Sequence, residues 1–274
     1  MTRASPILNG ACEALHRELG TIMRRPLLCT LFAVSAGFAG TQAASAAQFD
    51  SWAALVVAGD YRTHSGSPSE IFDNGRRDIV KALQGLGFAQ SHILQFSVVP
   101  DTDKTTKPKL SDSDAIRTEF ARLARQSGGG CFVYFTSHGG QNGILVGGTG
   151  MSPRDMAKLV SDACADRTTV IVISACYSGI FIPMLRSDTR LILTAARADR
   201  PSFGCGETDK YTFFDQCVLE SFPGSRDFPR LAFKVQDCVA AREKAEKIDL
   251  PSEPQVSIGG IVQQLLSQYV FPPR

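Results

Sequence analysis

Ile173-Ser174-Ala175-Cys176-Tyr177-Ser178-Gly179 decides the fold. Four β-branched residues, Val170 to Ile173, lead into it and predict a strand buried on both faces. The small residues that follow predict a turn that exposes Cys176 at the strand's end. Thirty-eight residues earlier a second apolar run, Cys131 to Phe135, stops in the same manner at Thr136-Ser137-His138-Gly139-Gly140. A thiol and an imidazole thus follow two strands of the same kind.

Working outward, strands and helices alternate. Trp52 to Gly59 is an apolar run of strand length, closed by Gly59-Asp60. Asn74 to Gly87 reads as a helix, with Ile79, Val80, Leu83 and Leu86 at helical spacing. Ile93 to Val99 predicts the second strand, and Pro100 to Ser111 a charged loop. Ser113 is the expected cap of a helix carrying Ile116, Phe120, Leu123 and Ala124 on one face. Gly143 to Gly147 predicts a hairpin arm. Ser152 opens a helix to about Ala163, with Pro153 in its first turn. Leu191 to Ala195 is the fifth strand. Tyr211 to Ser221 and Pro229 to Lys247 read as helices, Gln255 to Ile258 as a last strand, and Ile261 to Tyr269 as a terminal helix. This alternation predicts an α/β sandwich: a mainly parallel sheet of about six strands with helices on both faces. In such sheets the site lies beyond the carboxyl ends of the strands, which brings His138 and Cys176 to one rim.

The 274 residues carry 43% hydrophobic and 20% charged side chains, enough for a sizeable core. Residues 1–47 hold four Arg and two Glu, so the remainder has 29 − 4 = 25 basic and 27 − 2 = 25 acidic residues. A near-neutral domain without a basic run interleaved with aromatics gives nucleic-acid binding no support. Met23-Arg24-Arg25, the uncharged stretch Leu27 to Gly40 and Ala44-Ser45-Ala46 read as an export signal. The expected organisation is an extension over residues 1–46, with the signal at 23–46, and one α/β domain over 47–274. The expected location is periplasmic or secreted. An uncleaved anchor over residues 26–47 is the alternative and the only reason to expect a membrane partner. Cys131, Cys164, Cys176, Cys205, Cys217 and Cys238 remain after processing, and an oxidising compartment permits disulfides among them. If Cys176 is a free nucleophile, at least one other cysteine is unpaired. No CxxC pair or His cluster points to a metal, and no cofactor is implied.

The chemistry follows from the pair. A thiolate attacks a carbonyl and a thiol barely does, so Cys176 needs a base, and His138 could take its proton and later pass it to a leaving amine. The tetrahedral oxyanion needs fixed donors, for which the N–H groups of Gly139 and Cys176 are candidates.

Phe132-Val133-Tyr134-Phe135-Thr136-Ser137-His138-Gly139, Gly143-Ile144-Leu145-Val146, Val172 to Gly179, Thr194-Ala195-Ala196 and Ser202-Phe203-Gly204-Cys205 together resemble, in order, the motifs of the legumain-type peptidases, the asparaginyl endopeptidases of the caspase-like clan. The resemblance covers about Trp52 to Glu220. It implies a caspase-like fold, Cys176 as nucleophile and His138 as base. It also implies that Asn74 orients the His, that Arg76 lies at the floor of the primary specificity pocket, and that Asp215 is the pocket's acid. Arg76 and Asp215 would read the two ends of an Asn amide, and Ser202 and Phe203 would line the edge where an extended peptide pairs.

The sequence departs from the family where Ser174 replaces a Glu two residues before the nucleophile and Tyr177 an acidic residue after it. Ser174 is counted with the substrate-binding residues. An Arg-only pocket would suit Asp rather than Asn. The implied activity is a cysteine endopeptidase acting after Asn or Asp on peptide or protein substrates through an acyl-thioester. Ligase activity follows if an amine outcompetes water. The alternative is a catalytically silent caspase-like binding or scaffold domain of the cell envelope.

Overall fold

The computed structural model describes residues 48–272. The expected export segment lies outside the described residues. The main sheet has seven strands: β1 Ala53–Ala58, β2 Ile93–Ser97, β3 Lys109–Leu110, β4 Cys131–Thr136, β8 Thr169–Ser174, β9 Arg190–Thr194 and β10 Gln255–Ile258. Their order is β10-β9-β8-β4-β1-β2-β3, parallel throughout except for β10 against β9. The short strands β5 Gly139–Gly140, β6 Gly143–Val146 and β7 Thr149–Met151 form a separate antiparallel sheet. Among the described residues seven helices accompany them: α1 Ile71–Leu86, α2 Ser113–Gln126, α3 Pro153–Cys164, α4 Ile182–Leu185, α5 Phe213–Ser221, α6 Phe228–Ala245 and α7 Gly260–Leu266.

Strand side chains alternate between two cores, as the period of two requires. Ala54, Val56, Phe132, Tyr134, Val170 and Val172 face one layer, where they meet Ile79, Val80 and Leu83 of α1, Val218 of α5, Val235 of α6 and Val262 of α7. Leu55, Val57, Val133, Phe135, Ile171 and Ile173 face the other, against Ile116 and Phe120 of α2 and Met156 and Val160 of α3. Both faces being covered, β1, β4 and β8 are buried along their whole length, which is why they read as unbroken apolar runs rather than alternating ones. Truncating one of these side chains to Ala costs about 2–5 kcal/mol.

Helix starts follow local chemistry. Ser152 caps α3 in a capping box with Asp155. The cap of α2 is Asp112, whose carboxylate accepts from Ala115 N–H at 2.8 Å, and not the expected Ser113. Asp112 has the extended backbone a cap needs, while Ser113 is already helical. Helix α1 begins at Ile71, three residues before the expected start at Asn74, so Asp73, Asn74 and Arg76 all lie in its first turns. The strand β3 within the expected Pro100–Ser111 loop is only two residues long and exposed, too short to leave a periodic signal.

Candidate active site

The register of the central strands sets the site. Ala58, Thr136 and Ser174 are partners across β1, β4 and β8. His138 and Cys176 each lie two residues beyond that row, so the two chains leave the sheet at the same level. They stay in contact: a Cβ at Gly139 would run into the Cys176 carbonyl oxygen and come within 2.9 Å of the Ala175 methyl. Only glycine permits this approach. Leu145 N–H donates to the His138 carbonyl at 2.9 Å, which makes Gly139 and Ile144 the pair that exchanges no bonds of its own. Gly139 N–H therefore points away from β6. Tyr177, next to the thiol, holds a left-handed backbone with φ 58°, kept in place as its N–H donates to the Arg200 carbonyl at 2.8 Å. Such backbone costs energy in a non-glycine residue and marks a sharp turn after Cys176.

His138 packs edge-on against Phe72, with ring centroids 5.1 Å apart. Its Nε2 lies 3.0 Å from the Arg62 carbonyl oxygen. A carbonyl can only accept, so Nε2 carries a proton, and in the neutral ring Nδ1 keeps the lone pair. The Cys176 sulfur accepts from Ser202 N–H at 3.2 Å and lies 3.6 Å from the Ser202 hydroxyl. His138 and Cys176 line one small cleft with Phe72, Ser137, Ser174, Ser202, Phe203, Cys205 and Thr212. His138 is the only member of this lining with a basic side chain.

The floor of the cleft is made of hydroxyls. Ser174 and Thr212 are buried with their oxygens 3.3 Å apart. The Ser137 hydroxyl is buried and has no hydrogen-bond partner among the described residues. Asp215 sits one layer deeper and is fully buried. Its carboxylate accepts from the Tyr134 and Thr136 hydroxyls at 2.6 Å each, and it fits against α1 because Gly75 has no side chain: a Cβ there would stand 2.7 Å from an Asp215 oxygen. Burial raises the Asp215 pKa, although hydrogen bonds from Thr136, Tyr134, Ser174 and Thr212 work against the rise.

Two expected site residues are engaged elsewhere. Arg76 is wholly buried, and it is not bonded to Asp215. Its Nε donates to Asp73 at 2.7 Å, one terminal nitrogen to Asp103 at 2.6 Å, and the other to Gln95 at 2.6 Å and Thr106 at 3.1 Å. Burial works to raise the Asp103 carboxyl, but the Thr106 hydroxyl and N–H and the Arg76 guanidinium outweigh it and hold its pKa far below the usual range. Arg76 thus clamps α1 to β2 and to the 103–106 turn, and neither Arg76 nor Asp215 lines the cleft, where the two were expected to read the ends of an Asn amide. Asn74 donates to the Lys210 carbonyl at 3.1 Å and accepts from Arg77, so it does not orient His138; the Arg62 carbonyl does. Reading side chains alone missed Arg62, because a backbone oxygen has no residue signature. Ser137, adjacent to the His, was legible by position but overlooked as a polar floor.

Disulfides join Cys131 to Cys164 and Cys217 to Cys238, leaving Cys176 and Cys205 free. Among the described residues one group of three metal-type ligands occurs, Cys217, Glu220 and Cys238, and two of its members form that second disulfide.

Residues 111–225 match the peptidase C13 family, the legumain family. The fold is similar to that of caspase-1 from Spodoptera frugiperda, with a TM-score of 0.55 at 18% identity over 77% of this chain and 87% of that one. It is similar also to pro-sf-caspase-1, with a TM-score of 0.54 at 17% identity over 76% and 90% of the two chains. Residues 111–225 are thus similar to a legumain-type cysteine peptidase, and the fold that holds them is caspase-like. No curated protein matches its sequence. The segment matching the legumain family contains His138, Cys176, Ser202, Phe203 and Asp215, and it leaves out Asn74 and Arg76.

Proposed function

We propose that this peptidase cleaves peptide bonds after Asn through a Cys176–His138 dyad. The observation that carries the reading is that both side chains line one cleft, with the Gly139 backbone set against that of Cys176. His138 Nδ1 takes the thiol proton and the thiolate attacks the scissile carbonyl. The oxyanion forms between the N–H groups of Gly139 and Cys176. As it collapses, the imidazolium gives its proton to the departing amine and leaves an acyl-thioester on Cys176. Water, giving a proton to His138, then attacks the thioester; the acid departs and the thiol is restored. The Arg62 carbonyl steadies the ring in both steps.

The cleft favours Asn over Asp on chemical grounds. Hydroxyls of Ser137, Ser174 and Thr212 can donate to an amide oxygen and accept from an amide nitrogen. A carboxylate entering the same cleft would find no cation besides His138, which serves the thiol, since Arg76 is spent inside the domain. Ser202 and Phe203 remain at the rim for an extended acyl-side peptide. Export fits the two disulfides, which persist in oxidising compartments.

The test is turnover by the full chain of fluorogenic peptides ending in Asn, Asp, Lys or Ala at acidic and neutral pH, beside Cys176→Ala and His138→Ala. Release after Asn that disappears in both variants supports the reading. Release after Asp alone would overturn the hydroxyl-floor argument. Absence of turnover together with failure of a peptide acyloxymethyl ketone to label Cys176 would favour a scaffold domain.

A further inference from the structure

Helix α6 ends beside the segment that leads into β10, and the two enclose a cavity of about 340 Å³. This volume lies within the usual range for a ligand site. Ala240, Ile248, Pro251 and Pro254 give it apolar walls, and Glu243 lines it from the helix. No residue of the candidate active-site cleft takes part in it.

Glu243 is 2% exposed. Its two carboxylate oxygens share a single donor, the Ser252 N–H, at 3.1 and 3.2 Å. An ionised carboxylate offers about four acceptor positions, and a buried charge is ordinarily paired. The cations and acids around it are otherwise engaged. Arg242 lies over the Phe213 ring, 4.3 Å from its centroid. Lys244, the next residue along the helix, is exposed and reaches the cavity with its stem while its ammonium stands in water. Glu253, the other acid of the lining, pairs with Arg197 at 2.6 Å and with Arg200 at 3.7 Å. The Ser252 hydroxyl, between the two prolines of the wall, is also buried and has no hydrogen-bond partner among the described residues. One donor thus accounts for one acceptor position of Glu243 and leaves a buried, under-satisfied carboxylate among apolar walls.

We propose that this cavity binds an organic ammonium ion with an apolar body. The ammonium donates to the Glu243 carboxylate, and the hydrocarbon part covers Ile248, Pro251 and Pro254. An ammonium carries three donors and a full charge, which is what the carboxylate lacks. A hard metal ion fits poorly, because it takes six or more oxygen ligands and the second carboxylate of this lining is held by two arginines. A neutral molecule of the same shape would cover the walls and leave the buried charge unpaired, and an anion would be repelled. The site is independent of the proposed dyad and stands or falls without it.

The experiment titrates the full chain at neutral pH with benzylamine, benzyl alcohol and benzoate, which share one apolar body and differ in charge, and follows binding by ligand-observed NMR. Benzylamine should bind more tightly than benzyl alcohol by about tenfold or more, since a hydrogen bond to a charged group outweighs a neutral one, and benzoate should bind most weakly. Glu243→Gln keeps an acceptor for the Ser252 N–H and removes the charge, so it should erase the preference for the amine. Ala240→Trp, a change at an exposed helix position that fills the cavity, should weaken the amine and the alcohol alike. The two variants act by different means on the same helix, and circular dichroism of each reports whether the domain is folded. Equal affinity of the wild-type chain for amine and alcohol, or no binding of the amine at millimolar concentration, would overturn the inference. So would a preference for the amine that survives Glu243→Gln, or amine binding untouched by Ala240→Trp, which would place the ligand elsewhere.

Discussion

Replacing Arg76 with Met separates two roles for that residue. If the guanidinium is an internal clamp, the loss falls on stability; if it reads substrate, the loss falls on KM. The structure sets the size of the first effect. Arg76 makes four hydrogen bonds and is fully buried, and its carboxylate partners Asp73 and Asp103 are 3% and 7% exposed. Without Arg76, Asp103 keeps the Thr106 hydroxyl and the Thr105 and Thr106 N–H groups, but Asp73 keeps only the Ser97 hydroxyl at 2.8 Å. The stranded charge is therefore mainly that of Asp73. Breaking a buried pair by removing one partner costs about 3–5 kcal/mol, which for a domain of this size lowers Tm by roughly 6–20 °C. Asp73→Asn in the Met background should recover part of the loss, since it removes the stranded charge. The cost should shrink in acid. The Asp103 pKa is depressed by folding, so its share of the stability is present above the unfolded carboxyl value and is lost as pH falls through the folded one. Thermal unfolding followed by circular dichroism from pH 7 down to about pH 3 measures both effects. A Tm within about 2 °C of wild type, joined to a large rise in KM for Asn peptides, would refute the clamp and restore Arg76 to the pocket.

Other expectations concern the cleft itself. Gly139→Ala should lower kcat by about 10²–10³, because the methyl displaces the Cys176 carbonyl and spoils the oxyanion donors; an unchanged kcat would remove Gly139 from the mechanism. Ser137→Ala should raise KM for Asn substrates by about fivefold, the worth of one neutral hydrogen bond, and leave the rate of Cys176 alkylation alone; equal loss on Asn and Ala peptides would deny it a reading role. Asp215→Asn should flatten the dependence of stability on pH. Folding raises the Asp215 pKa, so wild type loses stability as pH climbs from the unfolded carboxyl value to the folded one, a slope the amide lacks; parallel pH curves for the two proteins would contradict this. Burial, reinforced by the neighbouring Cys176, pushes the Cys205 thiol above its ordinary 9.0, so iodoacetamide at neutral pH should leave Cys205 unmodified while it alkylates Cys176; peptide mapping showing equal modification would overturn that ranking.

The strands were legible because burial on both faces forces continuous apolar runs, and the rim followed because parallel strands of similar length end together. His138 and Cys176 could thus be paired across thirty-eight residues without a contact being known. What failed was carrying a role over from the resemblance. Asn74 and Arg76 lie in a helix, as their periodicity predicts, but in the first turns of α1 their side chains are engaged away from the cleft. Asp73 and Arg76, three apart, share a helix face and bond to each other, a pairing the spacing did offer. The partner that matters as much, Asp103, lies in a loop twenty-seven residues on, and nothing in the sequence marks that loop as folding back over α1.

Asp215 shows how a residue matched to a pocket by resemblance can hold a different position in the structure. In this chain Ser174 stands at the end of β8 where the resemblance expects a Glu, and no acidic side chain enters the cleft from that strand. Thr212 caps α5 through the Asp215 N–H, so Asp215 is turned inward toward Tyr134 and Thr136. Thr136 belongs to the strand that ends in His138, and Ser174 to the strand that ends in Cys176. The carboxyl therefore ties together the supports of both reactive side chains from beneath the cleft, whose lining it does not join. A buried polar group with all its partners satisfied is rigid, because each displacement strands a donor or acceptor at low dielectric. In the proposed reading recognition is left to hydroxyls, which can turn to suit an amide, and the carboxyl beneath fixes where they stand.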